Sequence, residues 1–77
     1  MTREDAANAV AAQRLEPGEF WAGGSRYSRR VDATPDGDGF QCVAHIRVNV
    51  DTNESVPSTA TFTVVPHPAG GVTVTRC

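Results

Sequence analysis

Hydrophobic and polar positions recur along this chain with two periods, and the change from one to the other falls near residue 25. In the first stretch Ala7, Val10, Ala11, Arg14 and Leu15 recur at helical spacing, which lays one apolar stripe with a polar rim along a helix. Thr2 is a good N-cap, and Glu4 and Asp5 put carboxylates at the positive end of the helix dipole. Thr2-x-x-Asp5 resembles a capping box in which Asp replaces the longer Glu. Pro17-Gly18 is a stop signal, so the pattern predicts an amphipathic helix of about four turns. Glu19-Phe20-Trp21-Ala22-Gly23-Gly24 then sets two large aromatics before a glycine pair, which predicts a chain reversal plugging one end of the core. In that reading Trp21 is a core plug rather than a binding hot spot.

Beyond residue 25 the period is two. Phe40, Cys42, Ala44, Ile46, Val48 and Val50 share one face of a long strand, and Gln41, Val43, His45, Arg47 and Asn49 share the other. Before it, Tyr27, Arg29, Val31 and Ala33 alternate with Arg26, Ser28, Arg30 and Asp32, a weaker strand closed by a turn over Thr34-Pro-Asp-Gly-Asp-Gly39. After it, a turn over Asp51–Ser55 leads to a third strand with Ala60, Phe62 and Val64 opposed to Thr59, Thr61, Thr63 and Val65. Pro57 sits at the start of that strand, where a missing N–H is tolerable. The loop Pro66–Gly71 leads to a short last strand with Val72 and Val74 on the apolar face.

Three short loops between four consecutive strands predict a single α+β domain over residues 1–77: an N-terminal helix packed on one face of a four-stranded antiparallel β-meander, with the other face open to solvent. The order of elements looks like the cystatin-like layout. That resemblance is one of architecture, carries no residues over and does not fix a function.

Composition refines this picture modestly. A 77-residue chain has room for one core of limited size, so stability is expected to be modest, with a partner or a dimer interface supplying part of it. All 7 basic residues are Arg, which fits either codon bias in a GC-rich genome or selection for bidentate contacts to carboxylate and phosphate. A formal net charge of -2 gives no global basic field for non-specific nucleic-acid binding and too little acidity for a DNA-mimicking surface. The N-terminus lacks an apolar signal region, and no stretch approaches the ~18 apolar residues of a membrane span, so a cytoplasmic protein is expected. Two cysteines make no disulfide framework, and Asn53-Glu54-Ser55, though a glycosylation sequon, reads as part of a turn.

The open sheet face carries the candidate chemistry. Alternation places Arg26, Arg30, His45 and Arg47 there beside Thr59, Thr61, Thr63, Thr73 and Thr75. Such a face suits an acidic protein partner or a phosphate backbone, and it is equally an ordinary solvated β-face. Sheet-borne nucleic-acid recognition also needs stacking aromatics, and none of the five aromatics is expected on this face. Metal ligands would come from Cys42, His45, His67, Cys77 and the loop aspartates. Cys42 and His45 fall on opposite faces of one strand, however, so no zinc site is expected and Cys42 reads as a small buried hydrophobe. In a meander the first and third loops share one end of the sheet, which makes Asp36, Asp38 and His67 a candidate cluster. Asp36-Gly-Asp-Gly39 resembles the start of a calcium loop but lacks the later acidic ligands.

No P-loop, G-x-S-x-G or H-E-x-x-H is present, and the chain is short for walling off a substrate, so neither an enzyme nor a cofactor is expected. The leading expectation is a small non-enzymatic module that occupies a surface on a larger protein or complex, in the manner of phage or mobile-element inhibitors such as anti-CRISPR proteins. The alternatives are a structural or assembly protein that dimerises through a sheet edge or face, and a weak nucleic-acid binder acting through the Arg-bearing face.

Overall fold

The computed structural model describes residues 1–22 and 29–77. Helix α1 spans Arg3–Ala11, followed by β1 (Glu19–Trp21), β2 (Val31–Asp36), β3 (Gly39–Asp51), β4 (Glu54–Pro66) and β5 (Val72–Arg76). All the strand pairings are antiparallel: β3 and β4 form the centre, β5 lies beside β4, and β1 and β2 both pair with the far side of β3. The fold is therefore the expected helix and antiparallel sheet, with five strands among the described residues in place of four.

The fifth strand arises because the first edge is interrupted. Trp21 lies opposite Ile46 and Val31 opposite Ala44, so β1 and β2 pair with β3 on either side of the single residue His45. Ala22 N–H donates to His45 C=O at 3.3 Å, and His45 N–H donates to Arg30 C=O at 3.0 Å, so Ala22 and Arg30 are both tied to that one residue. Glu19–Trp21, read from the sequence as a reversal, is thus the first piece of that edge. The strand expected through Arg26, Tyr27 and Ser28 lies outside the described residues.

The helix begins as expected. Thr2 Oγ1 accepts the Asp5 N–H at 3.1 Å, and Asp5 Oδ2 accepts the Thr2 N–H at 3.1 Å, a complete capping box that holds the Asp5 carboxyl below its ordinary pKa. It ends earlier than Pro17 requires. The Gln13 N–H closes a tight turn on Val10 C=O, and the Gln13 side chain donates to Ala9 C=O at 3.3 Å. Arg29 Nη1 donates to Ala11 C=O. With no basic residue in its own last turn, α1 takes its C-terminal cation from Arg29, just ahead of β2, which gives the Ala11 carbonyl a donor. The chain is then free to leave the helical path and lay Leu15 against the core.

The turns follow from their residues. Gly37 takes a φ of +59° while Asp38 keeps a negative φ, the combination a two-residue II′ hairpin turn needs, so Thr34, Pro35 and Asp36 belong to β2 rather than to a long turn. The β3–β4 turn at Thr52-Asn53 has no residue with positive φ and cannot be of the primed types. The register instead shifts between Asn49 and Asp51, and Val50 is the extra residue of a bulge, 57% exposed. β4 accordingly starts at Glu54, and Pro57 lies inside it opposite Arg47.

The core lies between α1 and one sheet face: Ala6 and Val10 from the helix, Cys42, Ala44 and Ile46 from β3, and Ala60, Phe62 and Val64 from β4. Small residues on both sides of this contact let the helix sit close to the sheet. Trp21, Leu15, Val31, Ala33, Phe40, Val48 and Val74 pack around it, which places Trp21 at the core margin as expected. Gly39 permits a close crossing, since a Cβ there would lie 2.0 Å from Val64 O.

One ion pair closes the core where the helix does not reach. Arg76 stands on β5 opposite Phe62, and Glu19 stands on β1 opposite Val48. Their side chains meet in a two-pronged contact, Nη1 to Oε1 at 2.5 Å and Nη2 to Oε2 at 2.7 Å. Residues on opposite edges at different heights can meet only because the sheet coils, bringing two diagonal corners together over the core face. The Arg76 guanidinium passes over the Phe62 ring, 5.8 Å from its centroid. Glu19 Oε1 also accepts the Glu16 N–H at 3.0 Å. The Arg76 contact, aided by the Glu16 N–H, pulls the Glu19 pKa from 4.5 down to about 2.

Two outcomes are expected. Gly39→Ala forces a backbone clash and should cost about 3 kcal/mol or more in urea denaturation, a large share of a small domain's stability, whereas Gly70→Ala, which meets no neighbour but sets a side chain at a φ of +100°, should cost about 1–2 kcal/mol. The depressed Glu19 pKa contributes stability that is fully present above about pH 4.5 and is lost as the pH falls from there toward 2. The melting temperature of the wild type should drop through that window, and the Glu19→Gln variant should show a smaller drop from a lower starting value.

Candidate functional site

The open face is built by the odd residues of β3 and β4 with their partners on β1, β2 and β5. Register places Phe20 beside Arg47, Asp32 beside Val43, and Thr59 beside His45. The basic residues expected there are present where described, but they are engaged. His45 Nε2 lies 2.8 Å from Asp32 Oδ2, and Arg30 Nε lies 3.8 Å from Asp32 Oδ1. The His45 hydrogen bond is the main cause of an Asp32 pKa below the ordinary range, with the Arg30 charge adding to it. Arg47 turns toward β4, its Nε donating to Ser55 Oγ at 2.9 Å and its Nη2 to Ser55 C=O at 2.8 Å. Arg26 lies outside the described residues. Arg30 is well exposed, its side chain 72% accessible.

Phe20 was expected in the core and is found on the open face, 53% exposed, while its neighbour Trp21 takes the core side. Adjacent residues of a strand point to opposite faces, so β1 cannot bury both aromatics. The expectation that no aromatic reaches the open face is therefore corrected.

Behind Phe20, a groove of about 530 Å³ runs between β1 and the segment that follows α1. Leu15, Trp21, Arg14 and Arg29 line it. The Arg29 guanidinium lies 4.9 Å from the Trp21 ring centroid, and its Nε is buried with no hydrogen-bond partner among the described residues. Arg29 was legible only as an inward-facing position of an edge strand; its tie to the helix end is visible in three dimensions alone.

The loop cluster is less cohesive. The turns carrying Asp36 and Asp38 and the loop carrying His67 do share one end of the sheet, as register requires. The His67 ring is used within its own loop, where Nδ1 accepts the Ala69 N–H at 3.1 Å. Among the described residues no three His, Cys, Asp or Glu side chains converge as an ion site. Cys42 is fully buried, and burial raises its thiol pKa; Cys77 is exposed, its Sγ 3.4 Å from Thr63 Oγ1. Among the described residues no helix is long and apolar enough to cross a membrane.

The chain matches no protein-family model, no curated protein and no solved structure.

The Asp32–His45 contact has a direct check. In His45→Ala the Asp32 carboxyl should titrate closer to the ordinary aspartate range than in the wild type, read from its side-chain carbon shift by NMR, because the bond that stabilises its ionised form is gone.

Proposed function

We propose that this chain is a non-enzymatic, cytoplasmic protein-binding module that acts by occupying a surface on a larger protein. The observation that carries the reading is Phe20, an aromatic half exposed on a strand whose backbone is fixed by pairing with β3, flanked by Arg47 and backed by the Trp21–Arg29 groove. Aromatic and Arg side chains held on rigid backbone are the usual anchors of protein interfaces, and leaving a Phe in water has no structural benefit here. Arg30, lightly paired and open to solvent, supplies a charge for an acidic partner.

A phage or mobile-element inhibitor of a host defence or nuclease complex, in the manner of anti-CRISPR proteins, is the role in which so small a module suffices, since it blocks by coverage alone. The cystatin-like order of elements belongs to this reading as a likeness of layout. Nucleic acid is a less suitable partner: the net charge is -2, and Asp32 offsets the cations next to it.

Affinity capture from a host lysate with the wild type, Phe20→Ala and Arg30→Glu tests the proposal, followed by binding with the purified candidate. A partner retained by the wild type and lost by at least about tenfold with Phe20→Ala, whose circular dichroism stays unchanged, is the expected result. Salt-sensitive retention of nucleic acid in place of protein would shift the assignment to the Arg-bearing face as a nucleic-acid surface.

A further inference from the structure

Main-chain groups alternate in direction along a strand, and the bonds across this sheet reveal which residues point outward from each edge. Asn49 N–H donates to Gly18 C=O at 2.9 Å and His45 N–H to Arg30 C=O at 3.0 Å, so the odd residues of β3 face β1 and β2. Cys77 N–H donates to Thr61 C=O at 3.0 Å, so the odd residues of β4 face away from β3. It follows that the outward positions are Glu19 and Trp21 on β1; Val31, Ala33 and Pro35 on β2; and Ser55, Pro57 and Thr59 on the part of β4 that β5 does not cover. On β5 they are Val72, Val74 and Arg76.

Three of these four stretches are closed to an added strand. Pro35 and Pro57 remove the donor at an outward position of β2 and β4. Ser55 C=O is already held by Arg47, and Glu19 N–H already donates to Glu16 C=O at 3.0 Å. β5 carries no such device. Its sequence Val72-Thr-Val-Thr-Arg76 has high strand propensity, and no other described strand pairs with its outer side.

We propose that β5 is the edge through which two copies of this chain pair, antiparallel about a two-fold axis at Val74. The register is self-complementary: Val74 faces its own copy, Val72 faces Arg76 of the second copy, and Thr73 faces Thr75 of the second copy. Because Val72, Val74 and Arg76 all point outward, every one of their N–H and C=O groups finds a partner across the axis. On the core side, Val72, 41% exposed in the single chain, gains the aliphatic stem of Arg76, whose charge is already neutralised by Glu19. On the open side the threonines meet as cross-strand pairs, a favourable combination. The contact is short, so the association is weak, with a dissociation constant in the range of about micromolar to millimolar.

Sedimentation of the full chain with reductant present, from about 10 μM to about 1 mM, should show reversible monomer–dimer exchange. Thr73→Glu with Thr75→Glu puts like charges across the axis at two exposed positions and should weaken the dimer at least about tenfold with the circular dichroism spectrum unchanged. Thr73→Glu with Thr75→Lys should restore it. A wild type that stays monomeric throughout overturns the proposal, as does a dimer that the paired glutamates leave intact; a dimer not recovered by the opposite-charge variant overturns the register at Val74.

Discussion

The contact between Arg76 and Glu19 is the constraint around which this fold is arranged. α1 is only 9 residues long and covers one part of the sheet, so the remainder of the apolar face needs another cover. The coiled sheet supplies it by bringing its first and last strands together over Phe62, with Arg76 spread across the ring and Glu19 anchored to Glu16 as well. A single carboxylate thereby connects the chain after the helix, the first edge and the last edge. Because the Arg76 contact depends on its charge, the far end of the core is held in part by electrostatics, whereas the helix end is held by close packing of Ala6, Val10, Ala44 and Ala60.

The two ends also differ in how the helix is anchored. At its start, Thr2 and Asp5 satisfy each other locally. At its finish, Arg29 reaches from the sheet edge and stacks on Trp21. The helix therefore stops on donors from Gln13 and Arg29, ahead of the Pro17 signal, and the segment that follows it borders the groove beside Phe20. Trp21 and Arg29, which complete the fold, also line that groove.

Much of the architecture was legible from periodicity. The alternation from Phe40 to Val50 marks β3 and its buried face, and Ala60, Phe62 and Val64 mark the facing residues of β4, because long strands with one wet face write their pattern plainly. Glu19–Trp21 is too brief to establish a period, so alternation cannot distinguish an edge strand from a reversal there or show that Phe20 faces outward. For the open face, alternation located Arg30, His45 and Arg47 correctly, yet it could not show that Asp32 and Ser55 engage them, since those contacts join neighbouring strands. The edge-protecting roles of Pro35 and Pro57 depend on which way each backbone group points, and only register reveals that.

The interruption between β1 and β2 has an implication for chain length. Each half of the broken edge keeps its own register with β3, and both halves are tied to the same residue, His45. The span between Ala22 and Arg30 is therefore not needed to align the strands on either side. A change in the number of residues between the two halves would leave both pairings with β3 in register, so this edge takes up a difference in chain length without passing it on to the sheet.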